Sequence, residues 1–380
     1  MIASLAPRAD YPTLEHSVYL NQASLGLIGR PAVEAMRNFL DNVARHGNRY
    51  MSDVDEVAYF DSLREQASQL MRSAVERTAI VGGASELLGQ LPYLLEPERG
   101  SVVLAVRTDF PALTRPWLRL AGHGGCELRF VEDAPTSDLT DCLVDTLDGR
   151  TSVLAVSHVQ YATGSTVDIP RLRRATSDIG ASLIIDASQA AGAVTVDTGA
   201  WNAEVVVSSG YKWLGGHGGI ALASVAERLL AGIPPLPGWM GAPEPFDFNA
   251  TRLLVAPDAR RFTQSTMSYI SMAGLTAALR QLLELGTPRI EAHARSLAVL
   301  LVDELAALGW MPFRPIDDPA AAPHIISIAH PVHSGEAAAA ALLDRNIVCG
   351  ARGGRTRISL AAYTDERDVR VLLEALASLE

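Results

Sequence analysis

Lys212 is the only lysine in a chain of 380 residues that carries 31 arginines, and it lies in Val205-Val206-Val207-Ser208-Ser209-Gly210-Tyr211-Lys212-Trp213-Leu214-Gly215-Gly216. Where nearly every surface cation has become arginine, a position that keeps an amine is a candidate for chemistry a guanidinium cannot do. An ε-amine can be desolvated, lose its proton and attack a carbonyl carbon, whereas a guanidinium stays protonated. The bland alternative is a leftover surface lysine. Its setting argues against that: a β-branched apolar run, a Ser-Ser-Gly turn, an aromatic on each side and a glycine-rich loop after it.

Other chemistry-bearing residues follow short apolar runs, which is where ligands bind in open α/β sheets. After the run 78–81 come Gly82-Gly83-Ala84-Ser85-Glu86 and a helical pattern. Such a turn offers unpaired N–H groups and the positive end of a helix dipole to a phosphate, or serves only to cap the helix. After 182–185 come Asp186-Ala187-Ser188-Gln189. An Asp at the end of a buried strand needs a cationic or proton-donating partner, which a pyridinium nitrogen would provide; alone, it reads equally as a helix cap. Ser157-His158-Val159 follows 152–156, and Asp109-Phe110-Pro111 follows 101–106, where Phe110 could stack on a flat ring or belong to the core.

The elements that must position these residues alternate. Candidate strands are 78–81, 101–106, 127–131, 152–156, 182–185, 204–207 and 219–223, with helical patterns between most of them, which predicts a mainly parallel seven-stranded sheet covered on both faces. Helices are expected from Pro31 to about Gly47, over 54–73, and over 267–286 and 288–308. We divide the chain into an N-terminal segment (1–30), a large α/β domain (31–262), a linking helix (263–287) and a smaller α+β domain (288–380). A proline-rich stretch at 232–239 opens an irregular region to about Gln264, too long for a plain connector.

Composition narrows the function. With 48% hydrophobic and 20% charged residues the chain reads as a globular protein, and a net charge of -11 and a pI near 5.3 argue against nucleic acid or anionic membrane as the main partner. The first eleven residues lack the regions of a secretory signal, and Cys126, Cys142 and Cys349 are an odd, scattered set that fits reduced thiols, so a cytoplasmic protein is expected. No Cys/His cluster has metal-ligand spacing.

Taken together, and above all through Ile185-Asp186-Ala187-Ser188-Gln189 and Ser208-Ser209-Gly210-Tyr211-Lys212, the chain from about Tyr19 onward resembles the class V aminotransferase group of fold-type I pyridoxal-phosphate (PLP) enzymes, which includes cysteine desulfurases, kynureninase and isopenicillin N epimerase. The resemblance implies that Lys212 holds the cofactor as an imine and later moves protons at Cα. Asp186 would pair with the ring nitrogen, Gln189 would contact the ring oxygen and Phe110 would stack on the ring. Ala84, Ser85, Ser209 and Tyr211 would contact the phosphate. Thr266 resembles the threonine that reaches the phosphate of a neighbouring subunit, implying a homodimer with shared sites. His158 matches a histidine near the site, with a structural role equally open. Arg357, in Thr356-Arg357-Ile358-Ser359-Leu360, matches the arginine that grips a substrate α-carboxylate, and Asn21 and Trp239 resemble pocket-lining positions. Arg352 and Arg355 would contact an acidic or polar substrate tail, or only solvate their loop.

Desulfurases carry a sulfur-accepting cysteine on a loop before that arginine; here the interval is the short Gly350-Ala351-Arg352-Gly353-Gly354-Arg355-Thr356, and Cys349 lies at the end of a candidate strand. The expected reaction is therefore elimination of a β, sulfur-bearing substituent from a cysteine-like amino acid, with transamination and epimerisation as the alternatives. A non-catalytic PLP-binding module would come with a DNA-binding domain, for which the chain leaves no room. In a PLP-free phosphate-binding enzyme, Lys212 would be a phosphate ligand.

Overall fold

In the computed structural model, which describes residues 1–379, the strands in chain order are β1 (Val18–Tyr19), β2 (Thr78–Val81), β3 (Ser101–Val106), β4 (Cys126–Val131), β5 (Thr151–Ser157), β6 (Ser182–Asp186) and β7 (Val205–Ser209). They continue with β8 (Ala221–Val225), β9 (Met311–Pro312), β10 (Ile325–Ala329), β11 (Ile347–Val348), β12 (Gly350–Arg352) and β13 (Arg355–Ser359). The central sheet has seven strands in the order β2-β8-β7-β6-β5-β3-β4. All four residues of β2, five of the six of β3 and all five of β8 are buried, as expected for strands covered on both faces.

Six of these strands run the same way; β8 alone is antiparallel to both its neighbours. The chain between β7 and β8 forms turns and no helix. Without a helix to carry it over a face, it folds back beside β7, as a hairpin would. Because β2, β3, β5, β6 and β7 point the same way, the turns after them gather along one sheet edge.

The N-terminal segment is tied to the far end of the chain. β1 pairs in parallel with β11, and the backbone N–H groups of Leu5 and Ala6 donate to the Ala362 carbonyl. The second sheet, in the order β12-β13-β10-β9, carries Thr356 and Ile358 on one face and Gly350, Arg352, Arg355 and Arg357 on the other. Ile358 joins a core with Leu297, Leu301 and Leu372 from the flanking helices and with Trp310 just before β9.

The helices Arg30–His46, Asp53–Met71, Tyr269–Leu285 and Thr287–Leu305 agree with the sequence periodicity. Asp53–Met71 opens on a capping box in which Ser52 and Asp55 satisfy each other's backbone N–H groups. Arg314 anchors the C-terminal part to the central sheet: its Nη2 meets Asp133 at 3.0 Å and also donates to the carbonyls of Ala134 and Ser137, while its Nε donates to Ser165 Oγ.

Candidate active site

β6 ends in Asp186, whose side chain is 4% exposed. Its Oδ1 accepts the Ser188 backbone N–H at 2.8 Å, and no described cation lies within ion-pair distance of it. A buried carboxylate with one amide donor and no counter-charge calls for a proton donor from outside the chain. The next strand, β7, ends in Ser209, and the turn after it presents Tyr211 and Lys212.

Lys212 is 6% exposed, and its Nζ lies 5.0 Å from the Phe110 ring centroid and 5.6 Å from that of Tyr211. Burial lowers its pKa, the cationic Arg357 and Arg352 add to that, and the Asp186 carboxylate opposes them. The result favours a neutral amine, the form that can act as nucleophile or base. The turn is braced from the N-terminal segment: Gln22 Nε2 donates to the Lys212 carbonyl at 2.9 Å and the Gly26 N–H to that of Tyr211 at 3.0 Å. A Cβ on Gly26 would sit 2.2 Å from the Lys212 carbonyl oxygen, so only glycine permits this approach.

Phe110 is aimed by a buried network that the sequence did not reveal. Asp109 accepts the backbone N–H of Phe110 at 2.7 Å and that of Ser157 at 2.8 Å, together with Ser157 Oγ and Gln160 Nε2. Burial pushes the Asp109 carboxyl up to about 6, against the pull of these donors, with the Asp186 charge adding to the rise. The same cavity is lined by the start of the helix Ala84–Leu95, which begins at Gly83 with no side-chain cap, and by Ser85, Ser209 and Tyr211. The cavity is thus walled by Gly83, Ala84, Ser85, Phe110, Asp186, Ser188, Ser209, Tyr211 and Lys212.

Arg357, on β13, is 1% exposed. Its Nη1 donates to the Tyr161 carbonyl at 2.7 Å, its Nη2 to Asn21 Oδ1 at 3.3 Å and to Ser24 Oγ, and its Nε is buried without a partner. Burial and the nearby Arg352 lower its pKa to about 10, and no described carboxylate pairs with it. Asn21 thus belongs to the site through Arg357. The short polar loop 21–26 gave no local signal that its partners are Gln189, Lys212 and Arg357.

Other expected site residues do not line this cavity. The Gln189 amide accepts from Trp213 Nε1 at 2.7 Å and donates to the Ala23 carbonyl at 3.0 Å, which braces the wall of the cavity. His158 packs edge-on against Trp201, ring centroids 4.8 Å apart, with Nδ1 unpartnered; burial lowers its pKa to about 4, which keeps it neutral. Arg355 turns away to the carbonyls of Met311 and Ser327 and lies over Phe313. Trp239 is 38% exposed in a cluster with Phe246 and Phe248, and Thr266 is exposed on a nearby loop. Neither reaches the cavity of its own chain.

The sequence profile of the family described as Aminotransferase class-V matches residues 18–372, and the chain belongs to that family. It is 22% identical over 385 residues to the uncharacterized aminotransferase YcbU of Bacillus subtilis (strain 168), covering 98% of this chain and 96% of that one. It is 27% identical over 333 residues to probable cysteine desulfurase 2 of Mycobacterium leprae (strain TN), covering 81% and 78%. Among solved structures, a variant of C-DES with glycine covalently linked to its PLP cofactor superposes with a TM-score of 0.89 at 20% identity, over 99% of this chain and 100% of that one. The complex of C-DES, a cystine C-S lyase, with its product cysteine persulfide gives 0.87 at 20% identity, over 97% and 99%. The fold is therefore that of the fold-type I PLP enzymes, and PLP is the cofactor of the family.

The donor set fits that cofactor. An unpaired buried carboxylate faces the place for a ring nitrogen, an aromatic ring can lie over a planar group, an uncapped helix start and hydroxyls can receive a phosphate, and one amine of lowered pKa stands between them.

Proposed function

We propose that this protein is a PLP-dependent C–S lyase that breaks the Cβ–S bond of a cysteine-like amino acid, releasing a thiol or persulfide, pyruvate and ammonia. The observation that carries this reading is the buried sole lysine, held between Phe110 and Asp186 with the unpaired Arg357 near enough to perturb it. When bound, PLP supplies a carbonyl for the substrate amine and a ring that withdraws the electrons left at Cα. Asp186 keeps the ring nitrogen protonated, Phe110 covers the ring, and the Gly83–Ser85 turn with Ser209 and Tyr211 holds the phosphate. Arg357 binds the substrate α-carboxylate and so fixes which bond at Cα faces Lys212. Lys212 Nζ, its pKa lowered by burial, takes the Cα proton, and the sulfur leaves from Cβ with the electron pair of its bond.

Elimination is favoured over transfer of sulfur to a protein thiol because each cysteine lies away from the cavity. Cys126 begins β4 and Cys142 lies in the helix Leu139–Thr146. Cys349 packs against the C-terminal core, and burial pushes its thiol up to about 12, so it carries almost no thiolate at neutral pH.

For the architecture we keep the division at residues 30, 262 and 287. We further propose a homodimer in which Thr266 of one copy reaches the phosphate of the other. Its support is the exposure of Thr266 together with that of Ile233, Leu236, Trp239, Phe248 and Leu253 in the irregular segment before it. The cytoplasmic setting is supported by the three free cysteines; no described helix is long and apolar enough to cross a membrane.

The test is incubation of the PLP-loaded protein with cystine and with S-alkyl cysteines. Pyruvate and ammonia in equal amounts are expected, with loss of at least 100-fold in Lys212→Ala. Because no other ε-amine exists, borotritide reduction should label one tryptic peptide, the one containing Lys212. A keto acid that keeps its sulfur substituent would overturn the lyase reading.

A further inference from the structure

Two arginines on one face of the second sheet, Arg357 and Arg352, lie close enough to Lys212 to lower its pKa, and the outer one is a cation that the reaction above leaves unused. β12 and β13 are joined by Gly353-Gly354, both with positive φ (57° and 73°), a two-residue turn that glycine permits without strain. The register sets Gly350 opposite Arg357 and Arg352 opposite Arg355, so Arg352, Gly350 and Arg357 project from one face. Gly350 keeps that face open: a Cβ there would lie 2.9 Å from Asn21 Oδ1 and 3.3 Å from Arg357 Nη2.

Arg352 is not a cation adrift on the surface. Its Nη1 donates to the Ala351 carbonyl at 2.6 Å, and its Nη2 donates at 3.2 Å to Ser24 Oγ, the same hydroxyl that receives Arg357 Nη2. Two guanidinium groups therefore converge on one serine, and among the described residues neither has a carboxylate within 4.0 Å. This arrangement costs free energy in the protein alone, since the Arg352 charge depresses the pKa of both Arg357 and Lys212. Arg355, which shares the face, escapes by turning to backbone carbonyls. The buried Arg357 and the exposed Arg352 then form a line from the floor of the site to its mouth.

We propose that Arg352 is a specificity-determining residue that binds a second carboxylate, at the far end of the substrate's sulfur substituent. The substrate class is then a dicarboxylic S-substituted cysteine, of which cystine and S-carboxymethylcysteine are members. This rests on the reading of the site given above: with the α-carboxylate on the inner arginine and the amine at Lys212, the sulfur substituent runs outward past Ser24 and an anionic tail meets the outer arginine. A pair of arginines facing two carboxylates also relieves the repulsion between them, so the dicarboxylate gains where a neutral tail does not.

The experiment compares S-carboxymethylcysteine with S-carbamoylmethylcysteine, its uncharged isostere, on the PLP-loaded enzyme at low ionic strength, in wild type, Arg352→Gln and Arg352→Lys. Wild type should favour the carboxylate about tenfold in kcat/KM, one partly exposed charge-assisted contact. Arg352→Gln should remove that preference through KM, change the amide substrate much less than the carboxylate, and be partly restored by lysine. A parallel arm measures Kd, by tryptophan fluorescence, for the α-methyl derivatives of both compounds, which have no Cα proton to lose. Equal damage to both substrates would place Arg352 on the α-carboxylate, and an absent wild-type preference in both arms would leave it a solvating residue; either overturns the proposal. Preferential binding of the carboxylate without pyruvate formation would sink the lyase reading and leave the role of Arg352 standing.

Discussion

His324 should make the site wall fail in acid, and the size of the effect follows from its surroundings. The ring is fully buried, edge-on against Trp213 with centroids 4.6 Å apart, and its Nε2 lies 2.6 Å from the Gln189 carbonyl. That oxygen can only accept, so Nε2 carries the proton and donates, while Nδ1 stays bare and without a partner. Burial lowers the pKa from 6.5 to about 4. Between those values the unfolded chain binds the extra proton and the folded chain does not. The neutral ring's contribution is therefore fully present above pH 6.5 and is lost as the pH falls toward 4. At pH 4.5 the linkage relation gives a loss of about 2.5 kcal/mol from this one group. His324→Gln keeps a donor for the Gln189 carbonyl and removes the titration. Urea unfolding of both proteins at pH 7.5 and 4.5, followed by tryptophan fluorescence, should show the gap between them shift by about 2.5 kcal/mol in favour of the variant at low pH. Unfolding free energies that fall in parallel would refute the reasoning, because His324 would then be charged or hydrated in the folded protein. Any cost of the substitution at neutral pH cancels in the comparison.

Arg357→Gln should raise KM for any amino-acid substrate about 100-fold while kcat falls much less, since two charge-assisted hydrogen bonds to the carboxylate are lost; steady-state kinetics decide, and an unchanged KM would remove Arg357 from the substrate. Arg314→Met should destabilise the protein by about 3 kcal/mol in urea unfolding, because it leaves the Asp133 carboxylate, whose side chain is 0% exposed, without a counter-charge and with only the Thr163 and Ser165 hydroxyls as donors. A second change, Asp133→Leu, should recover much of that loss; a double variant no more stable than the single one would mean the clamp contributes by packing alone.

The sheet was legible because its strands are short β-branched runs between glycines and helical patterns, and the turns after them carry polar residues that a core would not tolerate. The direction of β8 was not. The run 219–223 looks like the next parallel strand, yet Gly219 sits at φ 84° and the strand begins at Ala221, after a chain that never forms the crossover helix. Asp186, Phe110 and Lys212 could be named from local context, since each stands at a strand end. Gln189 could not be assigned that way. Which groups its amide meets is decided by Ala23 and Trp213, and neither contact is written in the spacing of Asp186-Ala187-Ser188-Gln189. Asp109 was passed over for its neighbour Phe110 because a capping Asp looks like any other until Ser157 and Gln160 close on it. The same holds for Ser24, an ordinary loop serine in sequence that becomes the meeting point of two arginines.

What separates this chain from a sulfur-transferring enzyme is a question of where the leaving sulfur can go. A protein thiol that accepts sulfur must be ionised at working pH and must reach the sulfur bound at Cβ. Cys349 meets neither condition: its neighbour Gly350 shares a face with Arg357, so by strand alternation the thiol points to the opposite side, where it packs against the C-terminal core. The interval between Cys349 and Arg357 holds a tight glycine hairpin instead of a loop long enough to swing inward. In the proposed reaction the sulfur would depart with its own substituent, and discrimination between substrates would act on that substituent. The open face above Gly350 and the unpaired guanidinium of Arg352 stand on the path such a substituent would take. On the proposals above, the hairpin that leaves no room for a mobile cysteine loop would also supply the recognition of that substituent.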